Sequence, residues 1–402
     1  MKFFFILICL AIGLQCKHDK YNSTCDSQSK AFLETLTILL STSERFQLCN
    51  VSVFSPRIKI PRFLIVTNVG TNAATSSISV FRINPTTGEI AQVDGSPYQL
   101  TNRPRHSVTN SSGTIVYVAN IGSTSISVLA LNSETGALSV KFSDVSVPTT
   151  PYSLTMDPSG KYLFASSESS QQIHRYSIDG TGNILNLTPA TATSNPTLGS
   201  VGRMVFDTKG KHLYAGLTSG AANISGIQGF NLDPLSGALT SIGVYQTGEN
   251  NLSVAISPND KFVYGANYFS QDVFAAVRNI ENGVLTVQPA FSAGIAPGFS
   301  LVDPLNRFLY VANSGTGQGN ISAYSVSPIN GTLTSISGSP FNSGFSPIGL
   351  SIDKSGKFLY SSNTEGGNVS GFTISENGSL VPINGFPVTA GTNPFSVEIV
   401  SY

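Results

Sequence analysis

The sequence predicts an all-β fold: a seven-bladed β-propeller of four-stranded sheets, closed by its C-terminal strand and preceded by a short helical N-terminal extension. Three observations predict it. An apolar strand ending in small or polar residues recurs about every 50 residues. It reads LIVTN to Asn68, VYVAN to Asn120, LFASS to Ser167, LYAGL to Leu217, VYGAN to Asn267, LYVAN to Asn313 and LYSSN to Asn363. Turn sequences recur with it: NSSG, DPSG, DTKG, SPND, DPLN and DKSG before the strand, and NPTTG, NSETG, DGTG, DPLSG, ENG, ING and ENG further on. Asn, Asp and Gly supply the backbone shapes that tight turns need. Finally, the first unit begins at Arg62 with its second strand, and a strand of the missing kind, NPFSVEIVS (Asn393–Ser401), follows the seventh unit. That displacement predicts closure of the ring by the C-terminus, which removes exposed strand edges.

The third unit shows the internal order. PYSLTMD (Pro151–Asp157) is followed by KYLFASS (Lys161–Ser167), QIHRYSI (Gln172–Ile178) and NILNL (Asn183–Leu187). Period-two alternation gives each strand two different faces. No amphipathic helix pattern separates the strands, which argues against a parallel β/α architecture. An open solenoid of the same units leaves the displaced last strand unexplained.

The N-terminus carries a separate signal. MKFFFILICLAIGLQC has one cation, an apolar run too short to span a membrane, and a cysteine at position 16. The run reads as a secretory signal, and the LQC at its end resembles a bacterial lipobox. That implies a signal peptide over 1–15 and a lipidated segment with helix and linker over 16–60 before the propeller over 61–402; a plain signal peptide cut elsewhere is the alternative. Cys25 and Cys49 remain once Cys9 leaves with the signal and Cys16 is acylated, and an exported chain can oxidise such a pair. Two buried thiols are the alternative. Between them, Ser27 to Leu40 reads as a helix capped by Asp26 or Ser27, with Phe32, Leu33, Leu36, Leu39 and Leu40 on its apolar face.

Charge limits the partners. Lys+Arg and Asp+Glu are 22 each and charged residues make up 11% of the chain, so nothing favours nucleic acid. Membrane attachment rests on lipid at Cys16 alone. The histidines His18, His106, His174 and His212 occupy unrelated repeat positions, so no metal site is expected, and no cofactor motif appears in context.

With the repeats in hand, a resemblance can be stated. VYVAN, the D-P-x-G-K turn before such strands and the N-x-x-T-G-x-L turn after them resemble the YVTN-type and lactonase-like seven-bladed propellers. It covers about 340 of the 402 residues. The best-known enzymatic branch of that family hydrolyses 6-phosphogluconolactone. LQC likewise resembles a bacterial lipobox; Gln15 departs from the usual small residue, as in the looser lipoboxes of spirochaetes.

The enzymatic branch implies polar residues at set positions, and this chain departs from most of them. Tyr152 and Met204 stand where histidines are expected, and Leu217-Thr218 stands for Asn-Glu; Arg203 is kept. Arg203 could stabilise an oxyanion, but no base is evident beside it. Arg103-Pro104-Arg105-His106 looks like the family's Pro-Arg-His motif moved to blade two, and Glu168 follows a second strand. Arg105, His106, Glu168 and Arg203 are the candidate catalytic residues; the alternative for them is rim salt bridging and loop capping. His174 and Arg175 read as surface groups.

The expected function is a monomeric, lipid-anchored, non-catalytic binding protein of the cell envelope, on the periplasmic or surface face of the outer membrane, with a protein or glycan ligand on a propeller face. The alternative is a sugar-lactone hydrolase.

The Cys16 reading makes a direct prediction. Cells fed a fatty-acid analogue should label the wild-type chain and leave Cys16→Ser unlabelled. Equal labelling of both would remove the lipid anchor.

Overall fold

The computed structural model describes residues 46–48, 51–53, 60–167, 172–193, 200–218, 226–315 and 317–402. Two compact units divide at Lys59 and Ile60. In the first, Phe46–Leu48 pairs antiparallel with Val51–Val53. The signal-like segment, Cys16, the expected helix, Cys25 and Cys49 lie outside the described residues.

The second unit is built of seven antiparallel sheets. Their innermost strands are Pro104–Thr109, Pro151–Met156, Val201–Phe206, Asn251–Ile256, Pro297–Val302, Pro347–Ile352 and Pro394–Ser401. Each packs beside the next, and Pro394–Ser401 touches both Pro347–Ile352 and Pro104–Thr109, so the ring is closed. The expected closure holds: Pro394–Ser401 is the inner strand of blade one and pairs with Pro61–Asn68. Ile60 and Tyr402 exchange both backbone hydrogen bonds, at 3.2 and 3.3 Å, at the end of this pairing.

The strands alternate because each sheet face meets a different neighbour. In Pro61–Asn68, Phe63 and Ile65 pack toward blade two with Val116, Val118 and Leu129. Leu64 and Val66 pack toward blade seven with Phe358, Tyr360 and Val369. Every seam between adjacent blades holds one such apolar cluster, seven in all. At about 25 cal/mol per Å² of apolar surface removed from water, these seams supply the main driving force for folding.

Polar bonds fix the register of the seams. The tyrosine at the third position of a second strand donates to the carbonyl of a glycine in the next blade's outer turn. Tyr117 reaches Gly182 at 2.8 Å, Tyr214 reaches Gly283 at 2.6 Å, and Tyr264 reaches Gly331 at 2.8 Å. Tyr310 reaches Gly378 at 2.9 Å, and Tyr360 reaches Gly88 across the closing seam at 2.7 Å. Gly283 and its counterparts sit at positive φ, 73° for Gly283. They also lie against the first side chain of the preceding blade's second strand, where a Cβ would collide.

The four-strand unit needs one correction. In blades one, five, six and seven the outer strand is split into two short pieces, as in Ile90–Gln92 and Tyr98–Gln99. In three of these blades a glycine and a proline interrupt it: Asp94-Gly95-Ser96-Pro97, Ser337-Gly338-Ser339-Pro340 and Asn384-Gly385-Phe386-Pro387. Gly95, Gly338 and Gly385 have φ of 78°, 84° and 81°, and proline has no N–H for the ladder.

Deleting residues 393–402 should strip blade one of its inner strand and expose Pro61–Asn68. The expected result is loss of soluble protein, or a melting temperature lower by about 10 °C or more. A truncated chain melting with the full-length protein would contradict the closure.

Candidate functional site

One end of the central channel is built by a repeated backbone device. Each innermost strand starts with a register shift against its second strand, as between Pro104 and His106 or Pro151 and Ser153. In five blades the residue just before has a left-handed backbone although it is not glycine: Arg103, Asn250, Ala296, Ser346 and Asn393, with φ between 53° and 59°. Bulges re-aim side chains. Here they turn Arg105 in blade two, Tyr152 in blade three and Phe395 in blade one toward one another. In blade four the shift spans Val201 to Met204 and leaves Gly202 and Arg203 out of the ladder. A Cβ on Gly202 would press on the Leu252 carbonyl oxygen at 3.1 Å, so any larger residue here would push on blade five by a few tenths of an ångström.

The result is a cluster drawn from five blades. The Arg105 guanidinium lies 4.0 Å from the Tyr152 ring centre and 4.3 Å from that of Phe395. Arg203 lies 4.4 Å from the Phe299 ring and 5.6 Å from the same Phe395. Cation–π contact with partly desolvated rings holds both cations in place. Among the described residues neither arginine has a carboxylate partner. Arg105 Nε and Arg203 Nη2 are buried with no hydrogen-bond partner among the described residues, and Arg203 is 8% exposed. Burial, opposed by Tyr152 and reinforced by Arg105, brings Arg203 down to about 10, which leaves it cationic at neutral pH.

His106 belongs to the same cluster. Burial lowers its pKa well below the usual histidine value, and the charges of Arg203 and Arg105 lower it further. The imidazole is therefore neutral at pH 7. Its Nδ1 accepts the Leu154 N–H at 3.3 Å, which places the ring proton on Nε2. His106 thus presents a neutral N–H donor beside two cations. This corrects two expectations: a titratable group does stand beside Arg203, and Arg105 does not form a rim salt bridge.

Other sequence candidates lie elsewhere. Glu168 falls outside the described residues. Met204 is buried in the seam between blades three and four. Thr218 donates to the Ser200 carbonyl at 3.1 Å. His174 is not a surface group: it is buried and bonded through Nε2 to Thr149 Oγ1 at 2.8 Å. His212 is buried between blades four and five, where its Nδ1 is 3.0 Å from Asp207 and Arg278 pairs with the same carboxylate. Among the described residues no cluster of histidine, cysteine or carboxylate has metal-binding geometry. A groove of about 690 Å³ between the outer strands of blades seven and one is lined by Arg82, Glu89, Ile90 and Phe386, away from the axial cluster.

Sequence reasoning missed Glu398. It is the only acidic residue in the seven innermost strands. The residue is half-buried, and its carboxylate lies between blades one and two. There it accepts from Thr109 N at 2.9 Å, Thr109 Oγ1 at 2.7 Å and Ser107 Oγ at 3.3 Å. Burial raises its pKa despite these bonds. In blade seven the matching position is Ser351, whose hydroxyl accepts the Ile399 N–H at 3.2 Å. An uncharged group therefore serves the same bridge.

The profile of the family described as Lactonase, 7-bladed beta-propeller, matches residues 56–152, 181–279 and 270–394. This chain belongs to the seven-bladed β-propeller lactonase family. A 6-phosphogluconolactonase of Serratia proteamaculans is 26% identical over 343 residues, covering 71% of this chain and 99% of that protein. A proposed 6-phosphogluconolactonase of Bacteroides uniformis shares the fold at a TM-score of 0.71 and 20% identity, covering 85% of this chain and all of that one (100%). The periplasmic gluconolactonase of Pseudomonas aeruginosa does so at 0.66 and 17%, covering 82% and 98%. These relatives favour the lactonase alternative over the expected non-catalytic binding role, for which none of them speaks.

The Glu398 geometry makes a pH prediction. A carboxyl whose folded pKa is raised favours the folded state when protonated, and that increment is lost as pH rises through the folded value. Glu398→Gln keeps an acceptor oxygen and removes the charge. The variant should melt above the wild type at pH 7 to 8, with the gap closing toward pH 4. Calorimetry showing the same gap at every pH would refute the buried charge.

Proposed function

We propose that this chain is a lactone hydrolase whose active site is the channel mouth formed by Arg105, His106 and Arg203. The observation that carries this reading is that two guanidinium groups, each with a buried nitrogen lacking a partner among the described residues, share the Phe395 ring next to the neutral His106, in a chain of the lactonase family. In lactone hydrolysis water adds to the ring carbonyl, charge develops on its oxygen, and the ring C–O bond then breaks. The ring oxygen leaves as a hydroxyl, and the products are a carboxylate and a proton. Preorganised donors aimed at the developing oxyanion are the largest single contribution to such catalysis. Arg105 Nε and Arg203 Nη2 supply donors with no other partner. His106 Nε2–H is a third, suited to the oxyanion or the departing ring oxygen.

The substrate class follows from the family and the N-terminus together. The Serratia relative carries the name of a phosphorylated sugar lactone. The signal-like segment and Cys16 instead support a cell-envelope setting, in which an unphosphorylated sugar lactone is the more accessible substrate. The Pseudomonas protein, named as a periplasmic gluconolactonase, has the same fold in that setting.

A panel of phosphorylated and unphosphorylated sugar lactones, followed by acid release against the spontaneous rate, tests this reading. Turnover should appear with the wild type. Arg105→Ala and Arg203→Ala should each lose about 100-fold in kcat/KM, the scale of one oxyanion donor. His106→Ala should lose a smaller factor. A panel with no turnover above background would end the lactonase assignment.

A further inference from the structure

Ring opening turns a neutral carbonyl into an anion in front of two cations. We infer that the mouth is a small-oxyanion site which holds the hydroxy-acid product more tightly than the lactone, so that the protein is inhibited by its own product and by inorganic oxyanions. This deepens the lactonase reading and, as a statement about reaction product, rests on it.

The argument begins with the two guanidinium groups. Arg105 and Arg203 share Phe395, at 4.3 and 5.6 Å from its ring centre, so the two like charges lie close together. Like charges in a desolvated place repel unless something neutralises them. No carboxylate among the described residues does so, and Arg203 keeps a buried, unpartnered Nη2 at 8% exposure. The one acid of the inner strands, Glu398, is engaged by Thr109 and Ser107.

The chemistry of the donors sets the ligand. Planar guanidinium groups match the two oxygens of a carboxylate or phosphate, and their bonds to an ionised acceptor are about twice as strong as neutral ones. His106, next to Arg105 in the chain, adds a neutral Nε2–H, because its Nδ1 accepts from Leu154 N. Tyr152, Phe299 and Phe395 hold the two guanidinium groups by cation–π contact, and Arg105 Nε and Arg203 Nη2 keep no partner among the described residues. A lactone offers this cluster only a neutral carbonyl. The acid formed from it offers a full negative charge, so affinity must rise during turnover.

Binding can be read without turnover. Isothermal titration of the full chain with gluconate, with inorganic phosphate and with the neutral polyol glucitol separates charge from sugar. Gluconate and phosphate should bind and raise the melting temperature; glucitol should bind at least about tenfold more weakly. Arg105→Gln and Arg203→Gln should each weaken gluconate about tenfold or more, and binding should fall with added salt. Arg105→Lys keeps the charge without the fork and should fall between. Lys209→Gln, exposed in a turn at the other end of the channel, should bind as the wild type does. Melting each variant without ligand checks that it is folded. Where a lactone is turned over, gluconate should inhibit it competitively.

The outcomes are separable. Gluconate and phosphate binding that depends on both arginines, in a chain that opens no lactone, would keep the oxyanion site and end only the assignment of its ligand as product. Turnover without any anion binding, or gluconate and glucitol binding alike, would overturn the inference and leave the lactonase reading standing. Phosphate binding without gluconate would overturn product retention.

Discussion

The structure depends on the seam between one blade and the next. Each seam combines an apolar cluster with a hydrogen bond from a tyrosine hydroxyl to a backbone carbonyl of the neighbouring blade, and none of the seven sheets can bury both faces without two neighbours. The tyrosine-to-glycine bonds set the depth at which adjacent blades meet. Burial raises Tyr117 and Tyr214 to about 12, so these hydroxyls remain donors throughout the physiological range. With blade positions fixed to within a hydrogen bond, side chains from different blades can be placed against one another at the axis.

The seam between blades four and five departs from this pattern. His212 occupies the position held by Phe262 and Phe308 in later blades, and Arg278 the position held by Leu131 and Val326 in others. Asp207 joins them, and Arg278 also donates to Tyr214 Oη at 2.9 Å and to the Asp260 carbonyl at 2.9 Å. A buried pair of this kind adds little stability over an apolar seam, but removal of one partner leaves an uncompensated charge. Substituting Arg278 alone therefore disturbs this seam more than replacing the whole set.

The ring was legible in the sequence because its information is local and repeated. Strand alternation, turn residues and the displaced Asn393–Ser401 strand each state part of the architecture within one unit. The site was legible only as separate pieces. Arg105 and His106 are neighbours in the chain, but Arg203 lies about 100 positions further on, and only the closed ring brings it to them. Tyr152 stood out only as a departure from an expected histidine, and Phe395 did not stand out, because nothing in a strand announces a bulge that turns its second residue to the axis. Glu398 had a signal that aligned inner strands would have exposed: one acid among seven otherwise uncharged or basic segments. His174 was misjudged because its strand position gave no hint of Thr149 across the turn.

The strand Pro394–Ser401 does two jobs that are separate in the other blades. It closes the ring, and through Phe395 it carries the aromatic surface shared by both cations. During synthesis it is the last propeller strand to leave the ribosome. Until it docks, Arg105 and Arg203 have no common floor, whatever the state of the six blades already made. The cluster of cations and rings is therefore completed with the final topological step rather than blade by blade, and a chain lacking that strand cannot assemble it.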